Sequence, residues 1–445
     1  MSSDPTQSGP RPPSVDALAR SLDSEIPERI RLRAARQTLA DGRATGDWAK
    51  SGDEWVELAS SRARHLAKPR LSPVINGTGI ILHTGLGRAR LADAAVDAVR
   101  AMAGSHADVE VDRDTGQRGD RQLVVRWLLQ ELTGAASSLV VNNCAAATML
   151  SLAALAPGRP VILSRGEMVE IGGAFRMPEI VSGSGCQLVE VGCTNKTHLR
   201  DYEEAMDVAG EPGVILRCHQ SNFVQEGFVS RPSTTELVSL AQKSGWVFVD
   251  DLGSGCLVDT TRYGLPKERT LREALAEGAD LVLASGDKLL GGPQSGLILG
   301  REDLVSKCAK HPLARATRID KLDLAALEAT LRLYLEAKEA EIPTWWACGR
   351  SLGELIDACE QLARAWGGES RIEPGHSELG GGSLPTAGIP TMRIGLIGKA
   401  TAIYEQLWDA GLLSRIESGT VWIDPRAISD DEMPRVQAIL GSIQP

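Results

Sequence analysis

From about Ser72 to Arg301 the chain repeats one pattern: a short apolar run of strand length, then an amphipathic helical stretch. The runs are SSLVV (137–141), PVILS (160–164), CQLVEV (186–191), GVILRC (213–218), WVFVDD (246–251), ADLVLAS (279–285) and GLILG (296–300). Helical stretches such as ATMLSLAALA and STTELVSLAQKSG separate several of them. Continuously apolar strands alternating with helices predict a mainly parallel sheet covered on both faces, an α/β architecture. In such sheets ligands collect beyond the carboxyl ends of the strands. The polar residues stand at those ends: Asn142–Asn143, Asp250–Asp251, and Ser285 followed by Gly286, Asp287 and Lys288.

The flanks differ from this block. Residues 1–13 are polar and proline-rich and read as a disordered tail. Residues 14–70 read as a polar helical module, with Arg29, Arg31, Arg33 and Arg36 clustered in it. Such a cluster is usually a solvated helix face, and it is also the best local candidate for a polyanion contact. A large domain is expected over 71–320. A helix from about Leu322 to Lys338 then opens a smaller domain over 321–445, with strands at TMRIGL (391–396) and GTVWIDP (419–425).

Totals exclude several classes. A net charge of −10 gives no general attraction to nucleic acid or anionic membrane, although it leaves room for a local basic patch. The eight cysteines are scattered without a C-x-x-C pair, against a disulfide framework or a zinc site and for a reducing cytoplasm. Pro157, Gly158, Arg159 and Pro160 break the most apolar long stretch, so no membrane span is expected.

Glycine-rich stretches invite familiar readings that fail. GTGIIL (77–82) lacks the third glycine of a dinucleotide fingerprint, GDKLLGG (286–292) has no G-K-[ST], and no G-x-S-x-G elbow occurs. What remains is Lys288 at the end of an apolar strand, before a Gly291–Gly292–Pro293 turn that lets backbone approach closely. A lone lysine in a turn is ordinarily a surface residue. One held in a partly dehydrated cleft can lose its proton and form a Schiff base, the use pyridoxal phosphate makes of it. That cofactor needs a carboxylate at its ring nitrogen and a cradle for its phosphate. Asp251 suits the first, with Asp250 competing for the part. Backbone N–H groups around Asn143, Cys144 and Ala145, at a strand–turn–helix junction, suit the second.

At this point longer blocks become recognisable. VINGTGIILHTGLGRARL (74–91), RGEMVEIGGAFRMPEI (165–180), DLGSGCLVD (251–259), YGLPKE (263–268), SGDKLLGGPQSG (285–296) and DLAALEATLRLYL (323–335) resemble the bacterial selenocysteine synthases, L-seryl-tRNA(Sec) selenium transferases. The resemblance runs from about Pro13 nearly to the C-terminus. It implies a fold-type-I pyridoxal 5'-phosphate enzyme with Lys288 as the Schiff-base lysine and Ser285 and His219 beside the cofactor. It further implies a two-step conversion: the serine hydroxyl is eliminated from seryl-tRNA(Sec), then selenium is added from selenophosphate. A small polyanion as donor calls for fixed guanidinium groups. Arg88, Arg315 and Arg318 match the family's anion-binding positions. The helical module is expected to grip the tRNA, and a large homo-oligomer, a ring of dimers in the cytoplasm, is expected to carry out the reaction. Two positions depart from the usual pattern, Gly85 and Cys144, where asparagine is common. The competing expectation is a lyase of the same fold acting on a small phosphorylated or acidic amino compound. Such proteins lack the helical module.

Overall fold

The computed structural model describes residues 12–46, 50–171, 175–220, 222–384 and 387–443. Apart from Pro12 and Pro13, the tail expected at residues 1–13 lies outside them. The chain divides into two compact units, Met1–Pro73 and Val74–Pro445.

The first unit holds three helices, α1 (Val15–Arg20), α2 (Glu28–Thr45) and α3 (Gly52–Ala67). Ser14 caps α1, and Ser51 and Glu54 form a reciprocal capping box at the start of α3. Leu18, Leu22, Ala34, Ala35, Trp55, Ala59 and Ala63 close a small core of their own. Gly42 lies inside α2 because a side chain there would collide with the Trp55 indole. Arg29, Arg33 and Arg36 are exposed on α2, at spacings of four and three residues that put them on one face.

In the second unit the seven sequence runs become seven strands: β1 (Ser137–Val141), β2 (Pro160–Ser164), β3 (Gln187–Val191), β4 (Val214–Cys218), β5 (Val247–Gly253), β6 (Leu281–Ser285) and β7 (Gly296–Gly300). They form one sheet in the order β1-β7-β6-β5-β4-β2-β3. All run parallel except β7, which is antiparallel to both neighbours. β1, β2, β6 and β7 are almost wholly buried, which explains their unbroken apolar composition. Two apolar clusters fill the space between the sheet and its helices, one on each face.

Helices α4 (Asp93–Ala103), α5 (Leu123–Thr133) and α6 (Cys144–Leu155) precede α7 (Lys321–Leu335). Leu324, Leu327 and Leu331 of α7 bury into the same core as Val282 and Leu297 of the sheet. The boundary expected at 320–321 therefore falls inside a continuous core, and the linking helix is part of the large body.

The C-terminal sheet comprises β8 (Ser370–Glu378), β9 (Gly388–Leu396), β10 (Arg415–Glu417) and β11 (Thr420–Ile423), antiparallel in the order β8-β9-β11-β10. Sequence reading assigned residues 71–82 to the large domain. In the structure Ile75 and Asn76 pair with Leu412 and Leu413, Thr78 bridges to Asp424, and Ile80 bridges to Glu378. The segment is thus stitched to the C-terminal region by backbone hydrogen bonds, which an apolar pattern cannot reveal. Among the described residues, no helix is long and apolar enough to cross a membrane.

Candidate active site

The carboxyl ends of β1, β5 and β6 open onto a cavity of about 240 Å³. Lys288, Asp251, Asn143, Cys144, Ala145, Ser285, His219 and Arg88 all line it, together with Thr148, Gly253 and Gln294.

Lys288 is held by its turn rather than by its amine. Gly286 N–H donates to the Ser295 carbonyl, Leu289 N–H to Ser254, and Gly291 N–H to Lys288 itself, at 2.8–2.9 Å. Gly291 has φ of 72°, in the left-handed region that favours glycine. Below the turn the Tyr334 hydroxyl donates to the Leu290 carbonyl at 2.8 Å and accepts from Trp345 Nε1 at 2.6 Å. Lys288 is 6% exposed, and no hydrogen bond to its Nζ occurs among the described residues. A methyl on Gly253 would lie 3.4 Å from Nζ, and one on Gly382 would lie 2.6 Å from Lys288 Cε. Two glycines, one from the sheet and one from the C-terminal region, therefore make the space the lysine occupies.

Asp250 and Asp251 take opposite faces of β5, as the strand period of two requires. Asp251 faces the cavity, where it accepts from Thr148 Oγ1 at 2.9 Å and lies 3.6 Å from Cys144 Sγ. Asp250 turns away and pairs with Arg269 at 2.6 Å. The choice that sequence left open is thus resolved in position: only Asp251 shares a cavity with Lys288. Burial pushes its carboxyl above the usual range, opposed by the Thr148 hydroxyl and the Lys288 charge.

Helix α6 starts at the end of β1. Asn143 caps it, its side chain accepting from Ala146 N–H at 2.8 Å. The N–H groups of Cys144 and Ala145 find no acceptor inside the helix, as at any helix start, and they lie at the positive end of its dipole. A side chain at Gly296 would run into the Asn143 carbonyl, which explains a glycine at the start of β7.

His219 follows β4, with its backbone N–H on the Asp251 carbonyl at 2.9 Å. Its Nε2 lies 3.7 Å from Glu268 Oε1, and its Nδ1 is buried with no partner among the described residues. Burial, then the Lys288 charge, depresses its pKa to about 4, so the imidazole is neutral at pH 7. Ser285 Oγ donates to Asp287 Oδ1 at 2.7 Å, and Arg88 Nη1 pairs with Asp287 Oδ2 at 2.9 Å. Arg88 has φ of 64°, a conformation that a non-glycine residue rarely adopts.

The other two arginines lie elsewhere in this single chain. Arg315 and Arg318 are exposed and do not line the cavity, and Arg318 pairs with Glu110 at 3.3 Å. Sequence reasoning also assigned no role to Thr148, Asp287 and Gly382. Asp287 adjoins the lysine, and Thr148 lies one helical turn beyond Cys144. Gly382 had no signal beyond the run Gly380–Gly382.

The cavity fits pyridoxal phosphate. Its polar set is a buried amine with no hydrogen bond among the described residues, a carboxylate on the neighbouring strand β5 and free amides at a helix start, and the two glycines leave the space clear. Taken with the sheet order, this is the geometry of a fold-type-I pyridoxal-phosphate enzyme. The family model described as SelA, L-seryl-tRNA selenium transferase, matches residues 74–429. The chain belongs to that family. It is 40% identical to the L-seryl-tRNA(Sec) selenium transferase of Serratia proteamaculans (strain 568), over 95% of this chain and 94% of the relative. With the Moorella thermoacetica protein of the same name it is 44% identical, over 97% of both chains. Among solved structures, D-glucosaminate-6-phosphate ammonia-lyase superposes with a TM-score of 0.59 at 22% identity, covering 83% of this chain and 95% of that one. This last likeness shows the fold.

Proposed function

We propose that the chain converts seryl-tRNA(Sec) to selenocysteinyl-tRNA(Sec), with selenophosphate as selenium donor, as a cytoplasmic homo-oligomer. The observation that carries this reading is the cavity uniting Lys288, Asp251 and the start of α6 in a chain that matches its named relatives end to end.

Bound pyridoxal phosphate supplies an electrophilic carbon and an electron-withdrawing ring; the chain supplies the rest. Lys288 Nζ is placed to hold the cofactor and then to take the proton from the seryl Cα. The departing hydroxyl leaves as water and needs a proton, which the same Nζ can return. Asp251 would stand at the ring nitrogen and, when charged, would favour a proton there. The Cys144 and Ala145 amides would hold the phosphate end, and His219, neutral, would line the ring without adding charge. Arg88, tied to Asp287 through one nitrogen, retains guanidinium donors for a small anion. Arg315 and Arg318 would serve the same anion when subunits assemble. The exposed Arg29–Arg36 face of α2 offers the tRNA backbone its contact.

The test is incorporation of labelled selenium from selenophosphate into seryl-tRNA(Sec) by the wild type and Lys288→Ala. Turnover in the wild type and a loss of at least about a thousandfold in the variant are expected, since the covalent route disappears. Absence of selenium transfer alongside turnover of a free phosphorylated amino compound would replace this reading with the lyase.

A further inference from the structure

Thr148 is fully buried one turn into α6, and its Oγ1 lies 3.0 Å from the Cys144 carbonyl and 2.9 Å from Asp251 Oδ2. A hydroxyl has one hydrogen to donate, and both neighbours are acceptors. A helical threonine normally spends that hydrogen on the carbonyl four residues back. Here a carboxylate oxygen at 2.9 Å competes with that carbonyl, and a hydrogen bond to a carboxylate is the stronger when the acceptor is charged. The other oxygen, Oδ1, faces Cys144 Sγ at 3.6 Å. Burial and the Asp251 charge push the Cys144 thiol well up, so it keeps its hydrogen and acts as a donor. Residues four apart share a helix face, so one turn of α6 presents two donors to the two oxygens of one carboxylate. Among the influences that favour the charged form of Asp251, the Thr148 hydroxyl is the largest, ahead of Lys288.

We propose that Thr148 and Cys144 are positioning residues that fix the plane and the ionised form of Asp251, so that a single helical turn sets both ends of the bound cofactor. The inference rests on the reading of Asp251 as the partner of the ring nitrogen. The same turn begins with the Cys144 and Ala145 amides assigned to the phosphate, and Asn143 caps it. The distance between phosphate site and carboxylate is then rigid, because both hang on the first five residues of one helix. Cys144 takes part in the clamp through its side chain while its backbone serves the cradle.

The test compares apoprotein affinity for pyridoxal 5'-phosphate, by equilibrium dialysis, in the wild type, Thr148→Val, Thr148→Ser and Cys144→Ala. Loss of the hydroxyl in Thr148→Val should weaken binding about tenfold, the cost of one hydrogen bond to a charged group. Thr148→Ser restores the donor and should stay within about twofold of the wild type; Cys144→Ala, losing a weak sulfur donor, should fall between. Should Thr148→Val fail to fold, Thr148→Ser and Cys144→Ala still decide. Wild-type affinity in both Thr148→Val and Cys144→Ala, or in Cys144→Ala alone where Thr148→Val does not fold, would overturn the clamp. If Asp251→Asn also binds like the wild type, the reading of Asp251 itself fails, and the clamp falls with it.

Discussion

Gly382 shows how one hydrogen atom in place of a methyl can decide a site. Its φ of 110° disfavours any side chain, and a Cβ there would lie 2.6 Å from Lys288 Cε and 2.9 Å from Nζ. Gly382→Ala should displace the amine and lower both cofactor loading, read by visible absorbance, and selenium transfer, by about tenfold or more. Gly381→Ala is the control: its Cβ would meet only Thr84 Cγ2, at 3.4 Å, and activity should change little. A second residue carries a pH signature. Burial raises the Glu167 carboxyl to about 7 against the Arg217 charge. Its folded pKa lies above the unfolded value, so the protein pays for ionising it in place. That contribution to stability is complete below pH 4.5 and lost as pH rises to 7. Glu167→Gln should therefore gain thermal stability relative to the wild type across pH 4.5–7, by up to about 3 kcal/mol. A difference flat with pH would contradict the shift. His219 runs the other way: its pKa is depressed to about 4, so its contribution is complete above pH 6.5 and fades toward 4. The two slopes offset each other in the wild type, which is why the single variant is the informative measurement. Lys288, Asp251 and Asn143 were legible in the chain because each ends an apolar run. Gly382 was not, since nothing local marks a contact across 94 positions of sequence.

At the scale of elements, the seven apolar runs became the seven strands within two residues at each end, and the four that are almost wholly buried, β1, β2, β6 and β7, are the ones with unbroken apolar composition. Sequence could not supply the strand order or the antiparallel course of β7. Both depend on where the chain crosses the sheet, and periodicity is blind to that. The lysine turn is a case in point. GDKLLGGPQSG reads as a turn, yet its rigidity comes from Tyr334 and Trp345 on a later helix pair. Tyr334→Phe deletes the donor to the Leu290 carbonyl and orphans the fully buried Trp345 Nε1. Leaving such a group unpaired costs about 1–3 kcal/mol. The variant should melt earlier and transfer selenium more slowly, with the rate loss in kcat rather than in tRNA affinity. Unchanged kcat in a destabilised variant would show that the turn holds Lys288 without this support.

The two units keep their cores apart: Met1–Pro73 closes one apolar cluster of its own, and the three others lie within Val74–Pro445. The segment that follows Pro73 is anchored by backbone pairing to the C-terminal region, so the break at 73–74 leaves no strand of the second unit unpaired. A chain beginning at Val74 should therefore fold and bind pyridoxal phosphate with close to full affinity, since every residue lining the cavity lies within it. It should lose tRNA-dependent turnover, because the exposed Arg29, Arg33 and Arg36 face goes with the first unit. Phosphate contacts release counterions, so binding of tRNA(Sec) to the full chain should weaken steeply with salt, and replacing the three arginines by alanine should flatten that slope. The net charge of −10 makes this a sharp test: without a dedicated basic face the protein would repel the polyanion. Retention of seryl-tRNA(Sec) turnover by the chain from Val74, at wild-type rate, would move the tRNA contact onto the second unit and leave the helical module without its assigned role.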